Sequence, residues 1–172
     1  MQKKEAEHRH ELGKAKTVAN TDPLTGVKSK HAYHEFISNL GEDIAIKSCT
    51  EFAIAVCDVN NLKYVNDHLG HKAGDEYIKK ACDVICTTFK HSPVFRIGGD
   101  EFVVVLTGQD YENRLKLSDE FNSVIEKNLG IGEVVIALGL SEYNGSKDSS
   151  INEVFERADF NMYARKKELK SK

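Results

Sequence analysis

Arg96-Ile97-Gly98-Gly99-Asp100-Glu101-Phe102 sets two adjacent carboxylates directly after two glycines, between apolar runs that read as strands. Val94, Phe95 and Ile97 resemble the end of one strand, and Phe102-Val103-Val104-Val105-Leu106 the start of the next, so the four residues between them predict a tight hairpin turn. Gly98 and Gly99 are expected to supply positive φ and to let another backbone or a phosphate approach. Asp100 and Glu101 would then be fixed on a rigid edge, where carboxylates plus substrate phosphates suit Mg²⁺. The motif alone leaves a second reading open, a solvated turn with ordinary surface acids.

Outward from this turn, Phe52-Ala53-Ile54-Ala55-Val56-Cys57 is a continuous apolar run of strand length that stops at Asp58. An acid at the carboxyl end of a buried strand lies where α/β folds place their chemistry, although it could equally cap the next turn. A polar segment from Asn60 to Asp75 follows. Ile78, Ala81, Cys82, Ile85 and Phe89 then recur at helical spacing. Asp75 is expected in that helix's first turn, where the macrodipole also favours an acid. His68 and His71 have the spacing of a metal pair, but beside a glycine turn they read better as hydrogen-bonding residues. Leu117, Phe121, Val124 and Ile125 mark a second long helix, Val134–Leu140 a further strand, Asn144–Ser150 a loop, and Val154, Ala158 and Met162 a last helix that ends in Arg165-Lys166-Lys167 and Lys170. That basic end complements the helix dipole or holds phosphates.

The order strand, helix, strand, hairpin, strand, helix, strand is the split βαβ arrangement of ferredoxin-like folds, an α/β (α+β) sheet with helices on one face and extra flanking helices at both ends. In such a sheet the end of the first strand lies beside the central hairpin. Asp58, Asp100 and Glu101 would therefore converge, and convergent acids call for a cation.

At 172 residues, with 40% hydrophobic and 30% charged, the chain can bury one good core. Residues 1–20 read as a polar helical linker, with Ala6, Leu12, Ala15 and Val18-Ala19 as its apolar punctuation, and residues 21–172 as the folded domain. Thr21-Asp22-Pro23-Leu24-Thr25-Gly26 ends the linker, Ser29 caps a new helix, and Tyr33, Phe36, Ile37 and Leu40 give that helix its buried face. A net charge of −3 offers no case for nucleic acid or an anionic membrane as partner. With neither a membrane span nor a signal peptide in the sequence, a cytoplasmic location is expected, though a longer protein could be membrane-tethered. Cys49, Cys57, Cys82 and Cys86 lack Cys-x-x-Cys spacing and read as reduced core thiols.

Taken together, these motifs resemble the GGDEF domains, diguanylate cyclases that condense two GTP into cyclic di-GMP. The similarity covers roughly residues 20–170 and rests on five motifs in family order: Asp22-x-Leu24-Thr25-Gly26, Asp58-Val59-Asn60-Asn61-Leu62-Lys63 with Asn66-Asp67, Gly70-His71-x-x-Gly74-Asp75, the signature at Arg96–Phe102, and Ala158-Asp159-x-x-Met162-Tyr163. The resemblance implies a nucleotidyl cyclase-like fold. It assigns Mg²⁺, with Mn²⁺ as the alternative, to Asp58, the Val59 carbonyl, Asp100 and Glu101, and makes Asp100 the base for the ribose 3′-hydroxyl. Asn66 and Asp75 would read guanine with His71 nearby, since an amide and a carboxylate complement the O6 acceptor and the N1 and N2 donors. Asp75 argues against ATP as a substrate, because it would repel the adenine N1 lone pair. Lys63, Lys166, Lys170 and the backbone N–H groups of Asn61 and Leu62 would hold the triphosphate. The family reaction needs a homodimer and implies an upstream sensory domain; the alternative is a catalytically silent GTP-binding regulator. Departures from the family pattern are Asn60 for a second Asp, Ser29-Lys30 for Asn-Arg, Lys170 for a common Arg, and Phe89 and Ser92 in place of the Arg-x-x-Asp product-inhibition site.

Overall fold

In a computed structural model that describes residues 2–172, the elements run α1 (Gln2–Asn20), α2 (Lys30–Ala45), β1 (Ala53–Val59), α3 (Leu62–Leu69), α4 (His71–Thr88), β2 (Val94–Arg96), β3 (Glu101–Leu106), α5 (Gly108–Glu112), α6 (Arg114–Ile131), β4 (Ile136–Glu142) and α7 (Ile151–Lys170). The strands form one sheet in the order β2-β3-β1-β4, with every neighbouring pair antiparallel. This is the ferredoxin-like order expected from the sequence. Every residue of β1 is buried, so the sheet is covered on both faces rather than one.

Side-chain parity sorts the covering helices. Gly139 of β4 lies under α7, and it pairs with Val56, which pairs with Val103, which pairs with Phe95. Phe95 packs against Tyr33 and Phe36 of α2 at ring-centroid distances of 5.4 Å each. Helices α2 and α7 therefore share a face. The alternate residues of β1, among them Cys57, face the layer of α4 and α6, where Phe89 and Phe121 lie 6.1 Å apart. Ser29 caps α2 as expected, accepting from the Ala32 N–H at 3.2 Å.

The edge strand β2 does not stand free. The Lys28 N–H donates to the Val94 carbonyl at 3.0 Å, and the Arg96 N–H donates to the Lys28 carbonyl at 2.9 Å, which covers part of the edge with the segment leading into α2. Gly26 makes that approach possible, turning the chain at φ +78°.

Three local expectations need correction. Strand β4 begins at Ile136, two residues later than the apolar run suggested, and extends into polar Ser141 and Glu142. Helix α4 begins at His71, so Asp75 sits beyond its first turn and the capping account of that acid loses its basis. Neither Gly98 nor Gly99 adopts a left-handed φ.

Candidate active site

The signature glycines act through space, not through dihedral freedom. A Cβ on Gly98 would stand 2.8 Å from Glu101 Oε2, so the missing side chain is what lets Glu101 fold back over the turn. Glu101 is itself the first residue of β3, not part of the turn, and its register partner on β1 is Asp58. Partners across an antiparallel pair point to one face. That face is the one α7 covers, and Asp58 and Glu101 line a cleft there with Asp159, Phe160, Tyr163 and Lys166. The Asp100 carbonyl accepts from the Val59 N–H at 2.8 Å, which ties the turn to the end of β1.

Asp58 is 6% exposed, and its Oδ1 is buried. Lys166 Nζ approaches that oxygen at 2.7 Å as an ion pair. Burial pushes the Asp58 carboxyl above its ordinary range; Lys166 opposes the shift, while Asp100 adds to it. Glu101 is raised as well, first by burial and then by Asp100, Asp58 and Asp159. Among the described residues, no three His, Cys, Asp or Glu side chains close into a set that could hold a metal. The expected convergence is thus a neighbourhood of repelling acids, with a lysine rather than a formed cage at its centre. The donor chemistry nonetheless fits a hard divalent cation: a buried carboxylate and adjacent carboxylates, all oxygen donors.

The rest of the predicted set lies on the helices around this point. Asn61 adopts a left-handed conformation (φ 65°) as it opens α3, and Leu62 and Lys63 follow in the first turn, where unpaired backbone N–H groups favour anions. Asn66, on α3, presses against Gly74 on α4, where an added Cβ would fall 1.7 Å from Asn66 Oδ1. Gly74 is therefore the seat of Asn66. His71 is exposed at the start of α4. His68 is held locally by its Nδ1 contact to the Tyr64 carbonyl at 2.9 Å and by stacking on the Tyr64 ring at 4.0 Å. Lys170, one turn beyond Lys166, is exposed and lowers the proton affinity of Asp58 from a distance. Asn60 is buried, and its Oδ1 has no partner.

Asp22 and Arg96 have a structural role that the sequence does not show. Arg96 Nη1 lies 3.3 Å from both Asp22 carboxylate oxygens, and Nη2 donates to the Gly99 carbonyl at 2.7 Å. Burial works against the Asp22 charge, yet hydrogen bonds from the Thr25 hydroxyl and N–H, together with Arg96, hold its carboxyl below the ordinary range. The first motif thereby braces the signature turn. Opposite charges 74 residues apart carry no sequence signal of such pairing. Gly139 was also missed: its Cβ would stand 2.0 Å from the Ala158 carbonyl oxygen and 2.1 Å from the Met162 nitrogen, so α7, with Asp159 and Lys166, is seated directly on strand backbone. Phe89 is fully buried, and Ser92 donates to Asp110 Oδ2 at 2.6 Å, so both positions of the family's inhibitory motif are taken up by packing and loop anchoring.

The family model described as "Diguanylate cyclase, GGDEF domain" matches residues 19–172. Among curated proteins, the chain is 30% identical over 146 residues to diguanylate cyclase DgcS of Shewanella oneidensis, covering 84% of this chain and 49% of that one. It is 28% identical to the probable diguanylate cyclase DgcT of Escherichia coli, covering 91% and 36%. The chain thus spans half or less of the length of these relatives. Among solved structures, the coiled coil and GGDEF domain of DgcB from Caulobacter crescentus, in complex with c-di-GMP, superposes with a TM-score of 0.83 at 22% identity, over 96% of this chain and 90% of that one.

Proposed function

The chain belongs to the GGDEF domain family, and from that premise we propose that it is an active diguanylate cyclase, joining two GTP into cyclic di-GMP with loss of two pyrophosphates. The observation that carries this reading is the buried Asp58 carboxylate facing Glu101 across the β1–β3 register, with Lys166 ion-paired to it at 2.7 Å. The unbroken signature Gly98–Phe102 favours an active enzyme over a silent GTP-binding regulator.

Asp58, the Val59 carbonyl, Asp100 and Glu101 would hold Mg²⁺, or Mn²⁺ in its place, and the ion would supply charge neutralisation at the reacting phosphate. Asn66 and Asp75 orient guanine by pairing with its O6, N1 and N2, with His71 at the rim. The N–H groups of Asn61 and Leu62, with Lys63, Lys166 and Lys170, take the triphosphate charge. Lys166 then exchanges part of its pairing with Asp58 for the phosphates. Asp100 accepts the 3′-hydroxyl proton as that oxygen attacks the α-phosphorus of the second GTP and pyrophosphate departs.

One domain holds one GTP in this reading, so ring closure needs two copies with their α-phosphates face to face. Helix α1 would carry the signal from an upstream sensory domain and set that encounter; the long match to a coiled-coil-linked GGDEF structure supports this role. Among the described residues, no helix is long and apolar enough to cross a membrane. Equilibrium binding of GTP against ATP tests the site directly. The chain should prefer GTP, Asp75→Ala should lose the preference, and Asp100→Ala should bind GTP without converting it; equal binding of the two nucleotides by the parent chain would refute the assignment.

A further inference from the structure

The four cysteines do not share one environment. Cys57 and Cys82 are buried, whereas Cys49 and Cys86 are half-buried. Cys82 and Cys86 stand one turn apart on α4 with their sulfurs 3.9 Å from each other. Cys86 opens into a cleft formed by α1, the turn that follows it and the end of α4. That cleft is also lined by Lys16, Lys28 and Lys90, and among the described residues no carboxylate lines it.

We propose that Cys86 is a modification site, a nucleophilic thiol that exchanges with anionic low-molecular-weight disulfides drawn into this lysine-lined cleft, with the Cys82 sulfur as its neighbour at 3.9 Å. A thiolate is the reactive form, and a donated hydrogen bond favours it. The hydrogen bond between the two sulfurs lowers the proton affinity of Cys86 and raises that of Cys82; burial and Asp83, one turn back on α4, work in the opposite direction on Cys86. In the exchange, the Cys86 sulfur attacks one sulfur of R–S–S–R, a Cys86–S–S–R bond forms, and R–S⁻ leaves to take up a proton from water. The incoming disulfide is itself the oxidant. An internal Cys82–Cys86 bridge is not the expected product, because closing 3.9 Å to a bond length of about 2.05 Å within one turn would unwind α4. The proposal stands apart from the catalytic reading, since none of these residues belongs to the candidate active site.

The test offers the native chain, in separate reactions, oxidised glutathione, which carries carboxylates, and cystamine, which is cationic, and follows adducts by intact mass and peptide mapping. Oxidised glutathione should label Cys86 first, about tenfold faster than cystamine labels it at low salt. The preference should vanish in about 1 M salt and in the Lys16→Gln/Lys28→Gln/Lys90→Gln chain. Cys82→Ala should slow the adduct at Cys86 without moving it elsewhere. Labelling of Cys49 at an equal or higher rate, or a cystamine rate at Cys86 matching that of oxidised glutathione, would overturn the proposal. The native chain itself gives both readings, so the outcome does not depend on whether a variant folds.

Discussion

Replacing Gly139 with alanine tests whether α7 is seated on strand backbone. The new Cβ would lie 2.0 Å from the Ala158 carbonyl oxygen, 2.1 Å from the Met162 nitrogen and 2.7 Å from Met162 Cα. All three are backbone atoms of a helix, so no side-chain rotation relieves the clash; strand and helix must part by about 1 Å to restore ordinary contact. Overpacking of this kind costs roughly 1–3 kcal/mol and reaches the upper end when backbone has to move, while removing a strand glycine returns about 0.5–1 kcal/mol. A net loss of about 2 kcal/mol corresponds to a melting temperature lowered by roughly 4–8 °C in a domain of this size. The same shift would draw Lys166 away from Asp58, now 2.7 Å off, so product formation should fall as well. Thermal unfolding followed by circular dichroism reads the first effect. Gly130→Ala is the control, since it sits in α6 with no atom within 4 Å of its added Cβ and should leave stability unchanged or slightly raised. A Gly139→Ala chain that melts with or above its parent would refute the close approach and, with it, the placement of α7.

Further outcomes follow from the site. Asn66→Ala removes an amide proposed to face guanine, so the GTP concentration for half-maximal rate should rise roughly tenfold with little loss of stability; an unchanged KM would exclude Asn66 from recognition. Glu101→Gln should abolish product yet stabilise the fold at neutral pH. Burial and neighbouring acids raise the Glu101 pKa above its ordinary 4.5 in the folded state, so ionising it opposes folding as pH climbs from that value through the raised one. Urea unfolding should find the two chains alike around pH 4 and the variant more stable around pH 7; a variant less stable at neutral pH would contradict this sign. Added cyclic di-GMP should leave the initial rate unchanged, because Phe89 is core and Ser92 is bound to Asp110. Strong inhibition would point to a second product site.

Continuous apolar runs and helical spacing reported β1, α4 and α7 well, because burial on both sides of a strand and on one side of a helix leaves a periodic trace. Strand order also followed, from connection rules and the alternation of elements. The grouping of Asp58 with Glu101 was legible for the same reason, through the hairpin's place beside β1. What stayed hidden were contacts that depend on an absent side chain or on distant partners. Gly74 under Asn66, Gly139 under α7 and Gly98 under Glu101 all read as turn or filler residues until the facing atom is known. Asp22 and Arg96 are ordinary charged residues until the edge of β2 brings them together. The signature glycines drew the wrong explanation for a related reason: Gly-Gly suggests positive φ by composition, while the space at Gly98 is set by a glutamate three residues on.

The proposed activity is the synthesis of cyclic di-GMP by two copies of this chain. Incubating it with GTP and Mg²⁺ over a range of protein concentrations, with Asp100→Ala alongside, and separating the nucleotides by chromatography tests both parts. Product that rises more than linearly with protein and is absent in the variant is the predicted result. GTP that binds yet yields no product at any concentration, or a rate strictly proportional to a chain shown to be monomeric, would contradict the account.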